Sequence, residues 1–231
     1  MTNYAGFDTD DYPGPVQLAW LKTNTNLGWC GYYLAPAPSH DNTSWMGQRQ
    51  VLSAQGWGVA PIFVGQQTAG PGSHNAAGPQ GSTDGALAAR LASQEDFAPL
   101  SYIFLDWEDG SSPGQEAQAY VSAWASAVAG NGYRPGIYCS HHLAPDMAAL
   151  IGRLDPAPPL RIWAWNVATV AAHPYGGLIE RFPDADPAGC GYPAAVAWQC
   201  QQNCVLQLPG APVTRMKADL SCASVADPGA P

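Results

Sequence analysis

Positive charge is scarce in this sequence. Nine Lys and Arg stand against 18 Asp and Glu, for a net charge of −9, and they are scattered along the chain. No basic stripe forms, so nucleic acid and anionic membrane surfaces are poor partners. A neutral polymer such as a carbohydrate is compatible with this surface. Charge of either sign is low, at 12% of residues, below the usual share for a globular domain. No apolar run reaches the length of a membrane span. No signal peptide is visible, because Met1 to Tyr4 lead straight into a strand-like segment. Localisation is left open, and a role at the cell wall would need a non-classical export route. Internal repeats and linkers are also missing, so residues 1–231 read as a single domain, expected to be a monomer.

Turn formers and apolar residues are plentiful. Hydrophobic residues make up 46% of the chain, with 25 Gly and 22 Pro. A sizeable core wrapped by many short connections suits an α/β barrel or an all-β fold. Strand-like and helix-like stretches alternate through the first two thirds. Strands are expected at 4–9, 27–34, 58–64, 102–107 and 135–140. Helices are expected at 16–23, 43–55, 86–93, 115–130 and 145–154. The clearest is 115–130, where Ala117, Tyr120, Val121, Trp124 and Val128 share one face. Between the third strand and its helix lies a long loop, 66–84, of the kind that is functional or mobile. After residue 154 the helical periodicity stops. Three further strands are expected, at 161–167, 194–201 and 218–222, and residues 227–231 read as a frayed end. The sum is a TIM-like (β/α) barrel of eight strands with about five helices and a helix-poor C-terminal third.

Six cysteines are present, and Cys190, Cys200, Cys204 and Cys222 crowd the C-terminal quarter beyond Cys30 and Cys139. Their crowding favours one or two disulfides among the last four. Their spacing lacks the paired CxxC knuckles of common zinc sites. No motif calls for a metal or another cofactor.

The chemistry concentrates at the fourth strand. Tyr102 to Leu105 is apolar, as a strand buried on both faces should be. Asp106 and Glu108 then break the pattern. Alternate residues share a face, so the two carboxylates point the same way, about 6.5–7 Å apart along the backbone. Like charges at that range push one pKa upward, which keeps a carboxyl protonated for general acid work. Strand C-termini are where barrel enzymes hold catalytic groups. Asp8 ends the first strand, ahead of Asp10 and Asp11, and Asp219 lies in the last. Closure makes first and last strands neighbours, so Asp8 and Asp219 are expected at the same mouth. Tyr33, Trp107, Tyr138, Trp165, Trp198 and Gln199 lie in or near strands. They are the candidate sugar-binding residues, the aromatics by stacking. Each aromatic taken singly is as well explained by core packing. The adjacent His141 and His142 invite a metal-hydrolase reading with Asp106, but adjacent strand residues point apart.

These residues resemble a known family. Gly6-Phe7-Asp8, Leu105-Asp106-Trp107-Glu108, Pro135-Gly136-Ile137-Tyr138, Ile162-Trp163-Ala164, Trp198-Gln199 and Asp219-Leu220 are similar, in order, to strands of the family 25 glycoside hydrolases, lysozymes of the N-acetylmuramidase type. Gly6-Phe7-Asp8-Thr9 and the long loop before Asp84-Gly85-Ala86 resemble still more the bacterial glycoside hydrolase-like domains of unknown function called DUF1906. The resemblance implies a flattened eight-stranded barrel with five helices. It implies Glu108 as proton donor, with Asp106, Asp8 and Asp219 positioning substrate, activating water or stabilising the transition state. The implied partner is a bacterial cell-wall, peptidoglycan-type glycan. Two rival activities follow: hydrolysis of that glycan, or binding without cleavage. An open cleft where the four carboxylates converge favours the first. A cleft filled by the long loop favours the second.

Overall fold

The computed structural model describes residues 2–231. The chain forms an α/β barrel. Its strands are β1 (Tyr4–Asp8), β2 (Leu27–Tyr33), β3 (Gly58–Phe63), β4 (Tyr102–Asp106), β5 (Arg134–Ser140), β6 (Arg161–Trp165), β7 (His173–Pro174), β8 (Ala197–Gln207) and β9 (Arg215–Ala223). Five helices pack around them: α1 (Pro15–Asn24), α2 (Arg49–Ala54), α3 (Gly78–Gln94), α4 (Gln115–Gly130) and α5 (Ala144–Ile151). β1 to β6 run parallel in order. β6 pairs in parallel with β8, and antiparallel β9 closes the ring between β8 and β1. Eight strands therefore make the barrel, and two-residue β7 is an addition on the edge of β8.

The barrel interior is filled by rings, and glycine makes the space for them. Trp29, Phe104 and Trp163 meet edge to face, with Trp163 centred 5.2 Å from Trp29 and 5.8 Å from Phe104. A Cβ at Gly6 would lie 2.1 Å from the Trp29 ring, and one at Gly136 would lie 2.6 Å from Phe104. Strand period then decides the next layer up. Two residues beyond Gly6, Gly31, Phe104 and Gly136 stand Asp8, Tyr33, Asp106 and Tyr138, on the same inward face.

Four expectations need correction. The long loop is shorter than read, because α3 begins at Gly78 rather than Ala86. Glycine is a poor helix former in isolation, yet Gly81 and Gly85 sit one turn apart against α4. A Cβ there would come within 2.2 Å of the Tyr120 carbonyl oxygen and 2.5 Å of that of Trp124. Close helix packing, a tertiary effect, overrides the propensity. The second helix is shorter than 43–55, because Gly47, at φ +80°, separates a turn from α2. The last residues are docked, with Pro228 and Gly229 buried. Asp227 accepts from the Val59 amide, Gly229 from that of Tyr102, and Arg161 donates to the Pro228 and Ala230 carbonyls at 2.7 and 2.8 Å. Finally, all six cysteines are free thiols. Cys200 and Cys222, neighbours across β8 and β9, donate instead to the carbonyls of Leu220 and Trp198.

Candidate functional site

One end of the barrel gathers the acids. Asp8 and Asp219 are directly opposed in the β1–β9 register. Asp106 ends β4, and Glu108 follows it by one strand period. All four line an inner cavity of about 30 Å³ together with Tyr33, Tyr138 and Gln199. Above it opens a cleft of about 270 Å³, lined by Asp8, Glu108 and Asp219 and also by Asp10, Asn203 and Lys217.

Gln199 ties this layer together. Its Nε2 donates to Asp219 at 3.2 Å and, more weakly, to Asp8 at 3.5 Å, while its Oε1 accepts from Tyr138 Oη at 2.7 Å. Tyr33 Oη donates to the other Asp8 oxygen at 3.1 Å. Asp219 receives a further bond, from the Asn203 amide at 2.6 Å. That amide is aimed by irregular pairing in β8, where the register shifts between Gln201 and Cys204 and Asn203 adopts φ +57°. Such bulges re-aim groups beside functional sites.

Asp106 is held differently. It is 7% exposed, and its buried Oδ1 has no hydrogen-bond partner. Its backbone is fixed by Gln67, whose Nε2 donates to the Asp106 carbonyl at 2.9 Å while its Oε1 accepts from the Glu108 amide at 3.2 Å. One carboxamide therefore clamps the segment carrying both acids. Gln67 is in turn fixed by the loop. Beside it, Gln66 donates to buried Asp84, which also accepts from Tyr120 Oη at 2.9 Å.

Crowding and dehydration raise the carboxyls of Asp8, Asp106, Glu108 and Asp219. Burial, then the charge of Asp219, holds the Asp8 carboxyl well above the usual range, against the bonds from Tyr33 and Gln199. Burial raises Asp106 likewise, followed by Glu108 and Asp8. Asp219 is pushed up to about 6 by burial, with the Asn203 amide opposing. Glu108 is raised by the desolvating cleft walls and by Asp10, although its side chain still reaches solvent. A solvent-reaching carboxyl with a raised pKa, beside a more buried one, is the kind of arrangement general acid catalysis uses.

The aromatic candidates divide by strand parity. Tyr33 and Tyr138 line the inner cavity. Trp165 is half-buried and lines neither cavity nor cleft, its ring 3.5 Å from where a Gly110 Cβ would lie. Trp107 does not face the cavity. It alternates with Asp106, points outward and is fully buried, with Tyr120 of α4 6.3 Å away between ring centres. Trp198 alternates with Gln199 in the same way, packing toward Gly189 and donating its Nε1 to the Asn166 carbonyl at 3.0 Å. His141 and His142 stack on each other and line neither cavity nor cleft. Among the described residues, no group of three or more His, Cys, Asp or Glu could hold a metal ion. Sequence reasoning missed Gln67, Asn203 and Lys217 at the site and passed over Asp10. Gln67 offered a signal, as a polar residue just past an apolar strand, whereas the Asn203 amide offered none.

Comparison with known proteins agrees with this fold. The Mycobacterium tuberculosis Tat-secreted protein Rv2525c superposes with a TM-score of 0.56 at 14% identity, covering 99% of this chain and 97% of that one. The Clostridium perfringens spore cortex lytic enzyme SleM gives 0.61 at 13% identity, over 96% and 67% of the two chains. A family 25 glycosyl hydrolase from Bacillus anthracis gives 0.56 at 13%, over 97% and 90%. No curated protein matches the sequence. No helix among the described residues is long and apolar enough to cross a membrane. The model of the Rv2525c-like, glycoside hydrolase-like domain matches residues 15–188, well over half of the chain, and the protein belongs to that family.

Proposed function

We propose that this protein hydrolyses a bacterial cell-wall glycan of the peptidoglycan type, as a monomer and without a cofactor. The observation that carries the reading is the convergence of Asp106, Glu108, Asp8 and Asp219 on one inner cavity, with Glu108, Asp8 and Asp219 also lining the open cleft at the barrel mouth. Glu108 is the proton donor. Burial and Asp10 raise its carboxyl, which favours the protonated form a donor to the glycosidic oxygen needs, and its side chain reaches the cleft where that oxygen would lie. Asp106, one strand period behind, and Asp8 with Asp219 across the mouth stabilise positive charge as the bond breaks or activate the attacking water. Tyr33, Tyr138 and Gln199 set the acids' hydrogen bonds. The outward-facing Trp107 and Trp198 take no part. The long loop supports the enzyme over a binder, because its residues from Thr68 to His74 line neither cavity nor cleft. Release of soluble fragments from purified peptidoglycan by the wild type and by Glu108→Gln tests this. Equal release by both would end the proposal.

A further inference from the structure

The inner cavity carries an inference about what the glycan bears, and it rests on the reading of the cleft as a glycan site. Two independent features point to a ligand. First, Asp106 lines the cavity, is more than nine-tenths buried, and keeps an oxygen with no partner. A buried acceptor left unpaired is costly unless a ligand or water supplies a donor. Second, the charge is one-sided. Asp8, Asp10, Asp106, Glu108 and Asp219 line the cavity and the cleft above it, and among the described residues the single cation lining either is Lys217, which is exposed.

Size narrows the ligand. A volume of about 30 Å³ holds roughly one or two water-sized groups. An acetamido group brings one N–H donor and a carbonyl that would face acidic oxygens, and it carries no positive charge. A hydroxyl fits and would satisfy Asp106, but leaves the carboxylates uncompensated. A primary ammonium fits, brings three N–H donors, and supplies the missing charge.

We infer that the inner cavity is a primary-ammonium pocket, so that the preferred glycan carries a free amino group, as a de-N-acetylated amino sugar does, seated against Asp106 with Asp8 and Asp219 beside it. The outer cleft holds the sugar rings. Lys217 opposes the cation and sets how tightly it is held.

The test is a matched pair of ligands, tetramers of β-1,4-linked N-acetylglucosamine and of glucosamine, titrated into the whole protein by calorimetry near neutral pH, above the raised value of Asp219. The amine tetramer is expected to bind at least about tenfold tighter. Asp106→Asn, nearly the same shape, should remove that advantage, so that the two tetramers bind about equally. Lys217→Ala, at an exposed position, should strengthen amine binding a few-fold. Equal or tighter binding of the acetylated tetramer by the wild type overturns the ammonium pocket while leaving the glycan site standing. So does an amine affinity unchanged by Asp106→Asn, which would mean attraction to the acidic surface at large. Binding of neither tetramer overturns this inference and the glycan reading together.

Discussion

At the bottom of the barrel, Arg161 stacks on Tyr102 at 4.0 Å and donates to two carbonyls of the C-terminal tail. At the top, Asp8 and Asp219 face each other across β1 and β9, with the weak amide of Gln199 between them. The bottom satisfies its polar groups. The top crowds like charges and leaves an Asp106 oxygen unpaired. In barrels the N-terminal face serves stability and the C-terminal face serves chemistry. Here the difference is one of hydrogen-bond supply. The tail brings carbonyls to a cation, whereas the mouth brings acids to acids.

That contrast can be broken from either side. Glu108→Gln should show the largest effect, a loss of glycan release on the order of 100-fold or more, with the thermal midpoint unchanged. Loss of folding instead would mean that the mouth is structural. Arg161→Ala should do the reverse, costing about 1–3 kcal/mol in denaturant unfolding because two part-buried carbonyls lose their donor, with activity per folded molecule preserved. Asp219→Asn should stabilise the protein at neutral pH by about 1–2 kcal/mol, the full value of the shift being reduced by partial solvent exposure. The sign follows from the raised carboxyl. Its contribution to folding is greatest below its ordinary pKa of 3.8 and is lost as pH rises through about 6. Wild-type stability should therefore fall across that window, and the variant's should fall less. The smallest effect belongs to Trp107→Phe. Its buried Nε1 has no partner, so removing that donor offsets lost packing, and the cost should stay under about 1 kcal/mol. Glycan affinity should not move, since Trp107 faces α4. A weakened affinity would return it to the site.

Much of the mouth was legible because strand period is a local rule. Asp106 and Glu108 break an apolar run at alternate positions, and Asp8 with Asp219 follow from closure of first strand on last. The same rule, applied throughout, turns Trp107 and Trp198 outward. Likeness to sugar-stacking rings outweighed parity at those two positions. The start of α3 was illegible because Gly81 and Gly85 oppose helix in isolation and favour it only against the Tyr120 and Trp124 carbonyls. The tail read as frayed because its partners, Val59, Tyr102 and Arg161, are distant in sequence.

Sequence by itself determined the alternation of strands and helices, the end of that alternation after residue 154, and the placement of Asp8 and Asp106 at strand ends, with Glu108 one strand period beyond and Asp219 within the last strand. These follow from periodicity and residue type, which act between near neighbours. Tertiary structure alone decided that Gln67 clamps the acid-bearing segment and that the Asn203 amide turns toward Asp219. It also decided that the cavity narrows to one or two water-sized groups around an unpaired Asp106 oxygen. Those features depend on which distant backbones come within hydrogen-bond reach when the barrel closes, and chain-local pattern carries no record of it.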